Sequence, residues 1–164
     1  MMTTHSSEQL LELVQTLEHI SSQLNDILEQ EQTVLKAQDS QQLTILSVKK
    51  KSLVSALENH TKTVHIFLHN MNVKKGLYGL SNLISEIKSE TEKQLLSTSW
   101  LRTQTLSEAN KKINEVNGSI IELNRRHTQR SLDVLRGQVG ATSSTYGADG
   151  HAMKNKISRN ISIV

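Results

Sequence analysis

The sequence predicts an all-α protein, an antiparallel bundle or coiled coil of about three long helices with a flexible C-terminal tail. Leucine and isoleucine recur at alternating steps of three and four residues, the spacing that lines one side of a helix. Proline is absent and aromatic residues make up 2% of the 164 residues, which disfavours β-sandwiches and aromatic stacking platforms. The abundance of leucine, serine, glutamine, glutamate and lysine favours long helices.

The first helix is predicted over about residues 6–37. Both core positions of its heptad repeat are apolar except at Glu31, and they are occupied by Leu10, Leu17 and Leu24 in one register and by Leu13, Ile20, Ile27 and Val34 in the other. Asp39 and Ser40 then supply a break and a group that can cap a new helix.

The second helix is predicted over about residues 40–71. Its apolar seam has two polar members, Lys50 and His60. In one interpretation Lys50 buries only its aliphatic stem and His60 lies at a half-exposed edge. In the other, the two side chains fix the register of a coiled coil.

Gly76 and Gly79 predict a tight loop after the second helix. A third helical region extends over about residues 80–136, because neither proline nor glycine interrupts it before Gly118. This region is either one long projecting helix or a helix that bends near 89–98 or near Gly118. The helical domain is thus expected to comprise residues 1–136.

The segment Leu106–Leu135 carries two stripes when its residues are counted at about 100° each. The first stripe is apolar and contains Leu106, Ala109, Ile113, Val116, Ile120, Leu123 and Val134. The second is partly polar and contains Asn114, Asn117, Ile121, Thr128, Leu132 and Leu135. One stripe suffices for docking on the same protein, so the second predicts a surface for another chain. A helix buried between two neighbours would show the same wide face.

Three members of this segment, Asn114, Asn117 and Gly118, carry separate information. Glycine inside a helix costs about 1 kcal/mol relative to alanine. Its missing side chain either permits close approach of a partner backbone or marks a bend. The two asparagines are either exposed side chains or groups whose hydrogen bonds select a partner.

The tail is predicted over residues 137–164, which are rich in glycine, serine, threonine, asparagine and lysine. Such a composition contains too few apolar groups to offset the entropy of ordering. Tyr146 followed by Gly147, Asp149 and Gly150 is the one place that combines a large side chain with turn-forming residues. It is either a short linear motif that folds onto a partner or a tyrosine in a flexible tail.

Several function classes lack support in the sequence. Cysteine is absent, as are the common catalytic signatures HExxH, the P-loop and G-x-S-x-G. His65 and His69 lie four residues apart without a clear third ligand, so neither a metal nor another cofactor is predicted. The net charge of +3 is dispersed among many carboxylates, which disfavours nucleic-acid binding. Neither a signal peptide nor a membrane-spanning run is found, and a soluble cytoplasmic protein is expected.

The sequence resembles the FlgN family of flagellar export chaperones. The resemblance covers most of the chain and is weakest over residues 60–100. Its specific motifs are Asn-x-x-Asn-Gly followed by Tyr-Gly-x-Asp-Gly. The segments that carry it are Glu29–Leu57, Ile113–Gly118 (INEVNG), Arg126–Leu135 (RHTQRSLDVL), Tyr146–Gly150 (YGADG), Ile157-Ser158 and Ile161-Ser162-Ile163.

This resemblance implies a cytoplasmic chaperone for the hook–filament junction proteins FlgK and FlgL, which binds their C-terminal helical segments and delivers them to the flagellar type III export gate. By position, the cargo surface would contain Asn114, Asn117, Gly118, Ile121, Thr128, Leu132 and Leu135. The element that binds the cytoplasmic domain of the gate protein FlhA would contain Tyr146, Gly147, Asp149 and Gly150. Thr145 stands where the family often has leucine. Threonine would fill an apolar pocket for this neighbour of the tyrosine less well than leucine.

A structural coiled-coil adaptor that only self-associates is the alternative function. The sequence leaves open whether the free protein is a homodimer and which junction protein it binds more tightly.

Overall fold

The computed structural model describes residues 4–73 and 75–137, and these residues are helical with short connections. The α-helices are α1 (Thr4–Ala37), α2 (Ser40–Asn70), α3 (Leu80–Ser85) and α4 (Glu90–Leu135), and a 3₁₀-helix occupies Gly76–Gly79. No strand occurs in the described ranges. The predicted all-α class is confirmed. None of these helices is both long and apolar enough to cross a membrane.

The turn between α1 and α2 is formed by two residues. Gln38 has φ 58°, the left-handed conformation that commonly ends a helix. Asp39 caps α2, because its Oδ1 accepts hydrogen bonds from the main-chain N–H groups of Gln41 and Gln42 at 3.1 and 3.0 Å. This tight turn makes α1 and α2 antiparallel neighbours.

The connection after α2 depends on glycine at one position. Gly76 has φ +52°, and a Cβ atom placed there would lie 2.8 Å from the His65 ring. Both the backbone conformation and the lack of space therefore favour glycine.

Of the two alternatives predicted for residues 80–136, the unbroken helix is wrong, because the chain leaves the helical conformation beside the predicted bend at 89–98. The structure breaks the region between α3 and α4, although no glycine or proline lies there. Ile87 lies in the break and is buried in the apolar core. Burial of this side chain compensates for the helical hydrogen bonds that the break interrupts. Ser89 accepts the main-chain N–H of Lys93 at 2.9 Å, and α4 then starts with Glu90, which suits the positive end of the helix dipole.

The chain divides into two compact units, Met1–Gly118 and Ser119–Val164. Because residues 138–164 lie outside the described part, the expected boundary between a bundle of 1–136 and a tail of 137–164 stays a prediction.

The first unit contains a contiguous apolar core built from all four α-helices. Its buried members come from α1, α2, α3 and α4 and from the connection before α4, and they are Leu10, Val14, Leu17, Val64, Leu68, Leu80, Ile84, Ile87 and Leu96.

Helix directions in the first unit follow from side-chain contacts. His60 in α2 lies 2.8 Å from the Leu13 carbonyl oxygen in α1, whereas Lys50, earlier in α2, contacts Glu31, later in α1. α1 and α2 are therefore antiparallel. In the contacts between α1 and α4, residue numbers increase together in both helices. Ser7 Oγ donates to Glu92 Oε2 at 2.6 Å near the start of each helix, and Leu28 accepts from Asn117 further along each, so α4 runs parallel to α1.

Candidate helix-binding surface on α4

A buried polar cluster joins three helices of the first unit. Lys50 Nζ lies 2.9 Å from Glu31 Oε2 and 2.7 Å from Asn114 Oδ1. Asn117 Nδ2 donates to Glu31 Oε2 at 2.8 Å and to the Leu28 carbonyl at 2.9 Å. Glu31 is only 3% exposed, so these partners replace the water that its carboxylate loses on burial.

Two asparagines of α4 are buried against α1. Asn110 Nδ2 donates to the Ser21 carbonyl at 2.9 Å, and its Oδ1 accepts from Asn25 Nδ2 at 3.0 Å. Asn117 is 1% exposed, and its Oδ1 is buried without a hydrogen-bond partner among the described residues. Leaving such an acceptor unsatisfied costs about 1–3 kcal/mol.

These contacts revise the predicted cargo surface within the first unit. Asn117 faces the bundle and cannot contact a partner without leaving α1. Asn114 is exposed, yet its side-chain oxygen is engaged by Lys50. Gly118 is open, since a Cβ atom placed there would meet nothing within 4 Å. The helical residues of α4 include Gly118, so this glycine does not end the helix.

The remaining predicted cargo residues lie in the second unit, and all are exposed. Ile121 is 45% exposed, Leu132 39% and Leu135 82%, and Thr128 is exposed as well. At about 100° per residue these four side chains fall within an arc of roughly 60°. We call Ile121, Thr128, Leu132 and Leu135 the open stripe.

Two further apolar side chains of the second unit are exposed on the opposite side of α4. Leu123 is 62% exposed and Val134 59% exposed. They lie roughly 200–220° around the helix from Ile121. This pair therefore provides a matched apolar control for the open stripe.

Charged side chains occupy the helix surface next to the open stripe. Arg125 donates from Nε and a terminal nitrogen to both oxygens of Glu122 at 2.9 and 3.0 Å, and Arg126 donates to Glu122 at 3.1 Å. The hydrogen bond from Arg125 is the main cause that lowers the pKa of the Glu122 carboxyl, and the same contact raises the pKa of Arg125. Both ions are exposed, so they shape the local charge more than the stability.

Sequence reasoning identified Glu31 and Lys50 separately, as polar interruptions of two apolar seams, but missed their pairing. It also missed Asn110. The seven-residue spacing of Asn110 and Asn117 on α4 is the signal that could have found the second buried asparagine. The proposed gate-binding residues Tyr146, Gly147, Asp149 and Gly150 lie outside the described residues.

A comparison with protein families matches residues 1–154 to the family described as FlgN protein. The chain belongs to the FlgN family. No curated protein and no solved structure matches it at a significant level.

Membership gives the chain a general role as a flagellar export chaperone, in a family of chaperones and not of enzymes. Family membership also associates FlgN with the binding of flagellar proteins in general. Within the described ranges no three histidine or acidic side chains come together as metal ligands would, and His65 and His69 are both exposed.

Proposed function

We propose that this FlgN protein is a cytoplasmic chaperone that binds the C-terminal helical segments of the junction proteins FlgK and FlgL on the open stripe of α4. It keeps these segments from assembling early and delivers them to the export gate. The observation that carries the proposal is the exposure of Ile121, Leu132 and Leu135 on one side of a helix. Apolar surface arranged in this way fits the apolar side of another helix.

The size of the open stripe limits the affinity it supplies. Three apolar side chains contribute about 1.5–3 kcal/mol each, or roughly 5–9 kcal/mol in total. Association costs at least about 4 kcal/mol. The net gain is therefore at most about 5 kcal/mol, which corresponds to a dissociation constant of about 0.2 mM or weaker. The stripe alone therefore gives loose capture, and tighter binding requires further contacts with the cargo.

The test is calorimetric titration of synthetic C-terminal peptides of FlgK and FlgL into three proteins. These are the wild type, the stripe variant Ile121→Asn/Leu132→Asn/Leu135→Asn, and the opposite-face control Leu123→Asn/Val134→Asn. We expect the stripe variant to lose at least tenfold in affinity while the control changes less than threefold. Equal losses in both would contradict a specific surface.

Light scattering on the same proteins separates the alternative function. A chaperone binds the peptides as a discrete complex. The alternative function predicts that the wild type is a homo-oligomer that binds neither peptide and that the stripe variant is a monomer. This result would identify the open stripe as the self-association surface of a structural coiled coil.

For delivery, we propose that the motif formed by Tyr146, Gly147, Asp149 and Gly150 binds the cytoplasmic domain of the export-gate protein FlhA. The support is the Tyr-Gly-x-Asp-Gly motif and the family membership. Tyr146→Ala is expected to weaken binding to this FlhA domain at least fivefold while peptide binding stays unchanged, with Tyr78→Ala as the control at an exposed tyrosine of the first unit. Unchanged affinity for FlhA would remove the assignment.

A further inference from the structure

The two buried asparagines of α4 contact α1 in a repeated way. Asn110 Nδ2 donates to the carbonyl of Ser21, and Asn117 Nδ2 donates to the carbonyl of Leu28, each at 2.9 Å and each across 89 residues of sequence. The donors are seven residues apart on α4, and the acceptors are seven residues apart on α1. Two equal offsets define one parallel register between the helices.

Main-chain hydrogen bonding of α1 does not require these amides. Ser21 and Leu28 lie inside α1, where each carbonyl already accepts an N–H from the following helical turn. The Asn117 Oδ1 atom is buried without a partner in the described part of the chain, although its Nδ2 also donates to the buried Glu31 carboxylate. Asn110 contacts no buried charge, since its partners are the Ser21 carbonyl and the half-buried Asn25. An apolar side chain at position 110 would avoid burying an amide, so maximal stability does not explain an asparagine there.

The neighbouring apolar residues of α4 explain what the asparagines exclude. Leu106 and Ile113 precede Asn110 and Asn117 by four residues each, and both are only half-buried. A shift of α4 by four residues would bring this apolar pair opposite Ser21 and Leu28. Such a shift would put two apolar side chains in place of the two buried asparagines, and it would withdraw both amides from their acceptors.

We propose that Asn110 and Asn117 are positioning residues that hold α4 in one parallel register on α1. They thereby keep Leu106 and Ile113 at the edge of the bundle and out of its seam. Buried asparagines at core positions of coiled coils act in this way, selecting one alignment at a cost in stability. The Lys50 contact with Asn114 supports the same register from α2.

The test measures the distance between α1 and α4 in the full chain. The protein has no cysteine of its own, so nitroxide labels at Gln9→Cys and Lys111→Cys, both exposed, report one distance by pulsed electron paramagnetic resonance. In the present register Lys111 is level with Ser22 of α1, so the two labels are separated by roughly 20 Å along the helix axes. In the labelled Asn110→Leu/Asn117→Leu variant we expect a second population about 5 Å longer, because a slide of four helical residues adds about 6 Å to this axial separation. Asn110→Leu alone is expected to have a melting temperature equal to or above that of the labelled parent, whereas Asn117→Leu also removes a donor from the buried Glu31 carboxylate and is expected to lower it.

The control is Asn59→Leu, the same substitution at an exposed position of α2, which should leave one distance population. A single, unchanged distance in the double variant would overturn the register role. If the double variant loses helicity in circular dichroism, Asn110→Leu alone carries the same measurement and the same criterion.

Discussion

The two parts of α4, residues 90–118 and residues 119–135, differ in which side chains are buried and which are exposed. Between Glu90 and Gly118 its buried residues are mostly polar, namely Ser99, Thr103, Asn110 and Asn117, with Leu96 as the apolar exception. Between Ser119 and Leu135 its apolar side chains are exposed except for the half-buried Ile120, and those of the open stripe share one side. Hydrophobic periodicity thus reveals that α4 has apolar stripes, but not which side of the helix is buried.

The physical reason lies in hydrogen bonding. A polar side chain can be buried when its partners are fixed, as Asn110 is by Ser21 and Asn25. Burial of hydrogen-bonded polar side chains fixes the alignment of α4 on α1 more than it raises the free energy of unfolding. Apolar side chains that the fold leaves exposed then remain available for a partner.

The comparison predicts very different effects for the same substitution at two leucines of α4. Leu96→Ala empties a core position that is 1% exposed and should lower the free energy of unfolding by about 2–5 kcal/mol. Leu135→Ala removes a side chain that is 82% exposed and should change it by no more than about 0.5 kcal/mol. Urea unfolding monitored by circular dichroism measures both, and similar losses would refute the distinction.

A smaller effect is expected at the polar cluster. Lys50→Met leaves the Glu31 carboxylate buried without its cation and should lower the free energy of unfolding by roughly 1–3 kcal/mol. This is less than the about 3–5 kcal/mol for a fully buried pair, because the Lys50 side chain is 25% exposed.

Replacing both Glu31 and Lys50 separates the attraction between the two ions from the cost of burying an unpaired carboxylate. Glu31→Leu/Lys50→Met removes the stranded charge and should recover stability to within about 1 kcal/mol of the wild type. The same urea experiment measures it as a double-mutant cycle. A double variant as unstable as Lys50→Met would mean that the cluster stabilises the bundle by more than mutual charge compensation.

The smallest effect concerns the exposed ions of the second unit. The pKa of Glu122 is lowered in the folded chain, so its contribution is present above the unfolded pKa and is lost as pH falls through the folded pKa. Only a slight local loss of helix is expected in acid, since the ions are exposed. In a carbon-detected NMR titration, Arg125→Gln should move the Glu122 midpoint up towards its ordinary value. An unmoved midpoint would show that Arg125 is not the cause.

Local sequence signals were sufficient for α1, α2 and the turn between them. Leucine spacing and the Asp39 cap act within a few residues, and the structure ends α1 at Ala37 and begins α2 at Ser40. For the region before α4 the same signals left an unbroken helix and a bend near 89–98 as alternatives, because no glycine or proline lies there and the burial of Ile87 depends on residues distant in sequence.

The candidate site was predictable only in part. Periodicity located Ile121, Leu132 and Leu135 on one side of a helix, and they are exposed in the structure. The seven-residue spacing of Asn110 and Asn117 groups them on one side of α4, but their burial depends on residues of α1 more than 80 positions away, so the spacing could not show which side faces the bundle.

The most direct test of the account is to locate the cargo on the chaperone by NMR. Isotope-labelled protein is titrated with the FlgK C-terminal peptide, and backbone amide shifts are followed along α4. We expect the largest changes between residues 119 and 135, centred on the open stripe, and small changes for α2. Changes concentrated on α2, with residues 119–135 unaffected, would contradict the claim that exposed apolar side chains of distal α4 receive the cargo.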